Sequence, residues 1–114
     1  MRAHRFGEIF MIRPSYPLIG SAGAFNEGVA AVCISSEAET EFASHIMAAK
    51  LSGKIELRDY NSLTIMIRTP EGKRYLKLLS AAPVPKYRLG KRLGEISEDE
   101  KSRLKDALRL LFEI

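Results

Sequence analysis

The sequence predicts a small α+β protein, mainly β, in which short strands precede a single C-terminal helix. Three observations predict this fold class. Short apolar runs recur over residues 6–79 and are separated by glycine and proline, as strands are. Within them, residues 63–79 alternate with a period of two around a turn, which is typical of a hairpin. Residues 97–111 instead carry apolar side chains at the spacing of an amphipathic helix.

The first half of the chain predicts strands separated by a long loop. Residues 6–13 (FGEIFMIR) have the apolar and aromatic content of a first strand, which Pro14 ends. Residues 14–26 contain two prolines and two glycines and predict a long loop, and loops of that length are usually functional or disordered. Residues 28–34 (GVAAVCI) are continuously apolar, as in a buried central strand, so we expect the single cysteine, Cys33, to be a buried thiol.

The following segment predicts further strands. Residues 35–44 are acidic and irregular, with at most one helical turn expected. Residues 45–50 (HIMAAK) predict a third strand, although the two alanines leave a helix open as the alternative. A short strand over residues 54–58 would end at the turn formed by residues 59–61.

The hairpin is the clearest local pattern. Residues 63–68 alternate between two faces, and residues 69–72 (TPEG) place proline and glycine where a type I turn prefers them. Residues 73–79 (KRYLKLL) form the returning strand. Residues 80–85 (SAAPVP) predict a break, after which the basic residues 86–93 lead into the helix.

The C-terminal helix has a recognisable start. Ser97 occupies the N-cap position and Glu100 follows three residues later, which predicts a capping box. The apolar stripe that faces the core should consist of Leu104, Ala107, Leu108 and Leu111. Phe112 adjoins this stripe, so the sequence leaves open whether its ring is buried or exposed.

The net charge of +4 is unevenly distributed. Residues 50–94 hold eleven lysines and arginines against three acidic residues, a balance of +8, whereas each flanking segment has a balance of −2. A basic middle predicts an anionic partner, either a nucleic acid or an acidic protein segment. Lysine on exposed strand edges, which discourages aggregation, would give the same composition.

Length and composition exclude several classes of protein. We expect residues 1–114 to form one domain with its own core. No apolar run approaches the roughly 20 residues of a membrane span, and the N-terminus lacks the apolar segment of a signal peptide. With one cysteine, the chain suits the reducing cytoplasm. Two histidines and one cysteine at unrelated spacings cannot furnish a zinc site, and no glycine-rich phosphate loop is present, so we expect no cofactor.

Both ends of the chain resemble one family of bacterial toxins. Residues 7–12 (GEIFMI) resemble the opening strand of MazF and PemK toxins, and residues 88–112 (RLGKRLGEISEDEKSRLKDALRLLF) resemble their close. The hairpin with residues 80–85 and the ending KDALRLLFEI is similar to the related toxin CcdB. The resemblance implies an SH3-like, partly closed antiparallel barrel with a C-terminal helix, acting as a homodimer.

The MazF branch implies the toxin of a toxin–antitoxin pair, a metal-independent endoribonuclease that cuts single-stranded mRNA and is neutralised by an acidic antitoxin segment. In that family the second strand begins with Arg-Pro, whose arginine stabilises charge at the scissile phosphate, and a Thr or Ser after the third strand assists. Residues 28–30 are Gly-Val-Ala here, so the arginine is missing, and Ser52 lies one residue beyond the expected position. The candidate catalytic residues are Arg13 and Ser52, and the candidate nucleic-acid-binding residues are Lys50, Lys54, Arg74, Lys86 and Arg88. His45 is a further catalytic candidate, although an ordinary strand residue is the simpler interpretation.

Two other functions stay open. CcdB poisons DNA gyrase by binding it through an aromatic-containing tail at the end of the helix, whereas this chain ends Leu-Phe-Glu-Ile and has no tryptophan. A non-catalytic barrel that binds single-stranded nucleic acid would use tyrosines between basic residues, for which Tyr60, Tyr75 and Tyr87 qualify. Half-buried packing residues would look the same in sequence.

Overall fold

The computed structural model describes residues 5–13, 30–36, 43–53 and 63–112. Six strands, a short 3-10 helix and one α-helix lie in these ranges. They are β1 (Glu8–Ile12), β2 (Ala30–Cys33), β3 (His45–Ser52), β4 (Thr64–Thr69), β5 (Gly72–Pro85), the 3-10 helix Lys86–Arg88, β6 (Leu89–Glu95) and α1 (Glu98–Phe112). Among the described helices, none is long and apolar enough to cross a membrane.

The strands form one sheet in the order β4-β5-β3-β2-β1-β6, and every neighbouring pair is antiparallel. Within the described residues, β4 and β6 end the order and do not pair with each other, so the sheet is curved but not closed. The predicted fold class, a mainly β, partly closed antiparallel arrangement with a C-terminal helix, is confirmed.

Side chains from the two faces of the sheet fill two cores. The first core lies between one face and α1 and comprises Ile9, Val32, Ala49, Leu51, Ile65, Ile67, Leu76, Leu78, Ile96, Leu104 and Ala107. The second lies on the opposite face and comprises Ile12, Ala31, Cys33, Ile46, Ala48, Val84 and Leu89. Successive residues of β1, β2 and β3 alternate between the cores, which is why residues 28–34 lack the polar alternation of a half-exposed strand. The expected burial of Cys33 is confirmed.

The third strand is confirmed, and the helical alternative for residues 45–50 is wrong. Ala48 and Ala49 are both buried, one in each core. Their pairing with β2 and β5 outweighs the helix preference of alanine, because tertiary packing overrides so small an intrinsic propensity. The strand also extends beyond Lys50, so Ser52 is its last residue.

The predicted break at residues 80–85 is wrong, because β5 continues to Pro85. β4 pairs with β5 only from Gly72 to Lys77, so Pro83 lies where the strand has one neighbour and its missing N–H costs no ladder bond. The irregularity in this region is a register shift in the pairing of β5 with β3, between Ala48 and Lys50 of β3. The hairpin is confirmed, with Thr69 opposite Gly72, whose φ is +116°.

The predicted helix start is confirmed in atomic detail. The Ser97 N–H donates to Oε1 of Glu100 at 2.9 Å, and the Glu100 N–H donates to Oγ of Ser97 at 3.1 Å. The other carboxylate oxygen of Glu100 accepts the Arg68 N–H of β4 at 2.8 Å, so one side chain ties the helix to the edge strand. The predicted stripe faces the first core, whereas Phe112 is 74% exposed.

Several predictions concern residues outside the described ranges. They are the loop over residues 14–26, the helical turn within residues 35–44, most of which is outside, the strand over residues 54–58, and the candidates Lys54 and Tyr60.

Candidate functional site

A groove of about 400 Å³ lies between the tip of the β4–β5 hairpin and β6. Its lining is apolar where the central strands contribute and polar elsewhere. The lining residues are Ile9, Ala30, Leu51, Thr69, Pro70, Glu71, Arg74, Lys91, Arg92 and Leu93. An apolar floor with cations on both walls suits a ligand that carries negative charge and a flat apolar portion, as a nucleotide does.

Arg74 forms the basic part of the wall on the hairpin side. Its Nη1 donates to the carbonyl oxygen of Lys73 at 2.9 Å. A Cβ atom built on Gly53 would lie 3.8 Å from both Cδ and Nε of Arg74, so the side chain extends across the backbone that follows β3. The guanidinium is therefore held by the backbone of β5 and lies near the end of β3.

The β6 wall contains Lys91 and Arg92, but the two cations differ in their surroundings. Arg92 pairs through Nε with Glu8, whose side chain is only 1% exposed, and through Nη2 with Glu95 at 3.3 Å. The hydrogen bond to Glu8 is the main reason that the pKa of Arg92 lies above its ordinary value. Lys101 also pairs with Glu95, which lowers the pKa of Glu95 and raises that of Lys101.

The ion pairs of Arg92 reduce the positive charge that it contributes to the groove. The carboxylates of Glu8 and Glu95 offset much of the charge of Arg92, whereas Lys91 is exposed at the next position of β6. Because the two carboxylates weaken the field of Arg92, the cations of the groove that pair with no carboxylate among the described residues are Arg74 and Lys91, and Glu71 is the acidic residue of the lining.

Two of the predicted site residues, Lys50 and Ser52, precede and follow the groove residue Leu51 on β3. In the register of β3 and β5, Ser52 lies opposite Tyr75 and Lys50 lies opposite Lys77. Both side chains are half-buried on the face of β3 opposite that of Leu51, so they are directed away from the groove and do not line it. The Lys50 N–H donates to Oγ of Ser80 at 2.9 Å.

The other predicted residues, Arg13, Lys86 and Arg88, form a second group, which we term the basic turn. The Arg13 N–H donates to the carbonyl oxygen of Arg88 at 2.7 Å, and Nε of Arg88 donates to the carbonyl oxygen of Arg13 at 2.9 Å. A Cβ atom on Gly90 would lie 3.5 Å from Cγ of Arg13, which therefore packs over β6 next to Lys91. The basic turn is thus continuous with the β6 wall of the groove.

The structure does not bring the two candidate catalytic residues into contact. Arg13 follows β1 and Ser52 ends β3, with β2 between them. Two inter-strand spacings correspond to about 10 Å. The groove lining contains the sequence neighbours of both groups, Leu51 before Ser52 and Lys91 after Gly90, but neither Arg13 nor Ser52.

The remaining candidates lie elsewhere. His45 is exposed at the start of β3, where its Nδ1 is 2.9 Å from Oγ of Ser44. Tyr75 is half-buried, whereas Tyr87 is 75% exposed and lies between Lys86 and Arg88 in the chain. Among the described residues, no three His, Cys, Asp or Glu side chains cluster so that they could share a metal ion.

The sequence did not identify Lys91 and Arg92 as groove residues, nor Glu8 as the buried partner of Arg92. The basic composition of residues 86–93 contained the first two, but a register shift in the β1–β6 pairing decides their position: Ile9 lies opposite Gly94, whereas Phe10 lies opposite Arg92. Such a bulge redirects side chains and has no reliable sequence pattern in this strand.

Comparison with known proteins assigns this architecture to a class of toxin folds. No protein-family model and no curated protein matches the sequence. Solved structures do match. A mycobacterial endoribonuclease in complex with its cognate antitoxin has a TM-score of 0.78 at 14% identity, covering 98% of this chain and 97% of that chain.

Two further matching structures carry the name MazF. MazF from Deinococcus radiodurans has a TM-score of 0.73 at 14% identity, covering 100% of both chains. The Mycobacterium tuberculosis toxin MazF-mt6 has a TM-score of 0.73 at 9% identity, covering 94% of this chain and 97% of that chain. The chain therefore has the fold of MazF toxins along nearly its whole length, and these low identities establish the fold alone.

Proposed function

We propose that this protein is the toxin of a toxin–antitoxin pair and acts as a MazF-like endoribonuclease that cuts single-stranded mRNA without a metal ion. The observation that carries the proposal is the likeness, over 98% of the chain, to an endoribonuclease solved with its cognate antitoxin. The basic groove and the adjoining basic turn support it, since a chain with this fold and no anionic ligand would not need cations gathered there.

RNA binding would use both basic surfaces. The strand would enter the groove between Arg74 and Lys91 and continue over the basic turn, where Arg13 and Arg88 contact phosphates and Tyr87 stacks on a base. Lys50 and Lys86 would add charge at the two sides, and Lys54 is proposed as a further contact from the sequence alone.

Cleavage without a metal ion needs a base for the 2′-hydroxyl and a cation near the phosphate. Arg13 and Ser52 remain our proposed catalytic residues on the strength of the resemblance, and each lies next to a groove residue: Ser52 follows Leu51, and Arg13 packs on Gly90 beside Lys91. About 10 Å separates them in the sheet, so we expect them to act on neighbouring groups of the RNA and not on the same atom.

The partner of the toxin would be an acidic, initially disordered antitoxin segment that covers the basic turn and the groove and becomes ordered as it binds. An antitoxin partner is supported by the mycobacterial endoribonuclease solved in complex with its cognate antitoxin and by MazE–MazF from Deinococcus radiodurans, which has a TM-score of 0.72 with this chain. A homodimer in the cytoplasm is part of the same proposal.

A second candidate function has one observation in its favour. Phe112 and Leu110 are 74% and 51% exposed near the end of α1, the part of the CcdB-like fold that binds gyrase. Exposed large apolar side chains on a helix end favour contact with another protein. A gyrase-directed toxin would arrest growth without cutting RNA.

Induced expression in a bacterial host, followed by primer extension on total mRNA, separates these functions. We expect growth arrest with discrete new 5′ ends, and purified protein should cut single-stranded RNA in the presence of EDTA. Arg13→Ala and Ser52→Ala should each reduce the cleavage rate by at least tenfold, whereas Arg109→Ala, which removes an exposed cation from α1, should not. Growth arrest with intact mRNA would contradict the endoribonuclease proposal and favour a toxin that acts on a protein.

A further inference from the structure

Ala30, the first residue of β2, lies on the floor of the groove, and the resemblance places the phosphate-stabilising arginine at the start of the second strand. In the register of the sheet, Ala31 lies opposite Lys50, so Ala30 is next to Leu51, and Met11 lies opposite Ala30 on the other side. The central strands thus provide an apolar surface at this point. If the groove binds a phosphodiester, which is the proposed function on which this inference rests, the cation must come from a wall.

Three cations line the walls, and their contacts distinguish them. Arg92 has Nε and Nη2 engaged by Glu8 and Glu95, and Glu8 is buried. Moving Arg92 to a ligand would remove its guanidinium from the buried carboxylate of Glu8, which is unfavourable because a buried charge needs an opposite charge beside it. Arg92 therefore holds β6 in place and is a poor phosphate ligand.

Lys91 is exposed on β6 and carries a point charge on a flexible stem. It adds to the attraction of a polyanion, but it lacks the planar fork that fixes two oxygens of one phosphate. Its side chain would lose considerable rotamer entropy on binding. Lys91 is therefore suited to attract the strand and less suited to position one phosphate.

Arg74 combines the features that the other two lack. Among the described residues, its hydrogen bond goes to the carbonyl oxygen of Lys73 and not to a carboxylate, and no ion pair joins it to Glu71, which also lines the groove. Its side chain is half-buried and its guanidinium is already hydrogen-bonded to the backbone of β5, so it loses less freedom on binding than an exposed lysine does. A guanidinium held in this way can donate two parallel hydrogen bonds to phosphate oxygens.

We infer that Arg74, on β5, is the catalytic cation of the groove: it binds the scissile phosphate of a single-stranded RNA over Ala30 and stabilises the charge that develops on its oxygens. The function that the resemblance assigns to an arginine on the second strand is thus performed from the fifth strand. Ala30 leaves the space into which the phosphate fits.

The first test is the cleavage rate of Arg74→Ala on a single-stranded RNA that the wild-type protein cuts. We expect kcat/KM to fall by roughly 10²- to 10³-fold, which is typical for loss of one group that stabilises an oxyanion. Arg74→Lys should recover part of the loss, and Arg109→Ala should stay within twofold of the wild type. Circular dichroism and thermal unfolding establish that each variant is folded. An Arg74→Ala variant that cuts as fast as the wild type would overturn the inference.

A relocation experiment tests the position of the cation. Ala30→Arg in the Arg74→Ala background places a guanidinium on the groove floor, and we expect it to restore at least tenfold of the lost activity. A folded double variant that stays inactive would place the function of Arg74 outside this part of the groove and contradict the assignment.

A binding measurement separates failure of this inference from failure of the proposed function. With an RNA made cleavage-resistant by 2′-O-methyl groups, Arg74→Ala should reduce the slope of log K against log salt by about 0.7, the value for one phosphate contact on a single strand. If the wild-type protein neither binds nor cuts RNA, the proposed function fails. If it does both, and neither the slope nor the rate depends on Arg74, the inference alone fails.

Discussion

At the scale of single residues, Glu100 shows how one side chain performs two structural tasks. Its two carboxylate oxygens accept backbone N–H groups from the start of α1 and from β4, at 2.9 Å from Ser97 and 2.8 Å from Arg68. Burial raises the pKa of Glu100, but the hydrogen bonds from Ser97 and Arg68 outweigh this effect and hold its pKa below the ordinary value. The ionised form is therefore the one that stabilises the fold.

Replacing Glu100 by Gln should destabilise the protein by about 1–3 kcal/mol at pH 7, the usual cost of weakening hydrogen bonds to a buried charged group. Because the folded protein lowers the pKa, the unfolded chain binds the proton more readily, and the contribution of Glu100 is fully present above the ordinary value near 4.5. It is lost as the pH falls through the lower folded value. Urea unfolding at pH 7 and at pH 3 measures the difference.

Asp106→Asn is the matched control for Glu100→Gln, because it removes an exposed carboxylate from the same helix. Its stability should differ from that of the wild type by less than about 0.5 kcal/mol at either pH. A destabilisation by Glu100→Gln that is equally large at both pH values would show that the charge of Glu100 is not what stabilises the contact.

Glu100 also shows what could be predicted from the sequence. The capping box needs only the spacing of Ser97 and Glu100, so local chemistry predicts it. The bond to Arg68 joins residues 32 positions apart, and no local pattern contains it. The same division applies to the groove: the basic character of residues 86–93 was visible, but the bulge that places Arg92 opposite Phe10 was not.

At the scale of elements, β5 connects the two cores. Leu76 and Leu78 belong to the first core and Val84 to the second. Between them, Oγ of Ser80 accepts the Lys50 N–H at 2.9 Å and donates to the carbonyl oxygen of Lys77 at 2.6 Å. This hydroxyl replaces a backbone partner where the register of β3 and β5 shifts, so the strand continues through residues whose composition predicted a break.

We expect Ser80→Ala to cost about 1–2 kcal/mol, because it leaves the Lys50 N–H without its acceptor. Equilibrium unfolding measures the loss, and amide hydrogen exchange at Lys50 should accelerate more than exchange elsewhere in β3. Ser102→Ala, on the exposed face of α1, is the control and should be neutral. Unchanged exchange at Lys50 would mean that another group satisfies this amide in solution.

At the scale of the whole molecule, the basic residues are concentrated in a few elements, whereas the apolar periodicity that predicts the fold extends along the chain. Seven of the eleven basic residues in the segment 50–94 lie in β5, the 3-10 helix and β6, whereas α1 begins with three acidic residues. The apolar periodicities were sufficient to predict a mainly β protein with a terminal helix. The position of the basic surfaces required the strand order, in which β1 separates β2 from β6.

The electrostatic account predicts strong salt dependence of RNA binding. Contacts from Arg13, Arg74, Arg88 and Lys91 correspond to a slope of log K against log salt of about −3, at roughly 0.7 for each phosphate on a single strand. Fluorescence anisotropy with a cleavage-resistant RNA measures it, and an acidic poly-glutamate peptide should compete with the RNA. An affinity indifferent to salt would contradict binding through these surfaces.

The pairing of the first strand with the last one determines when the groove can form. The walls and floor join residues far apart in the chain, and the contact between Glu8 and Arg92 spans 84 positions. Closing so long a segment is entropically unfavourable until the intervening strands are in place. During synthesis, the wall that contains Lys91 therefore arises only after the five other strands have emerged, so a nascent chain that lacks β6 also lacks the assembled groove.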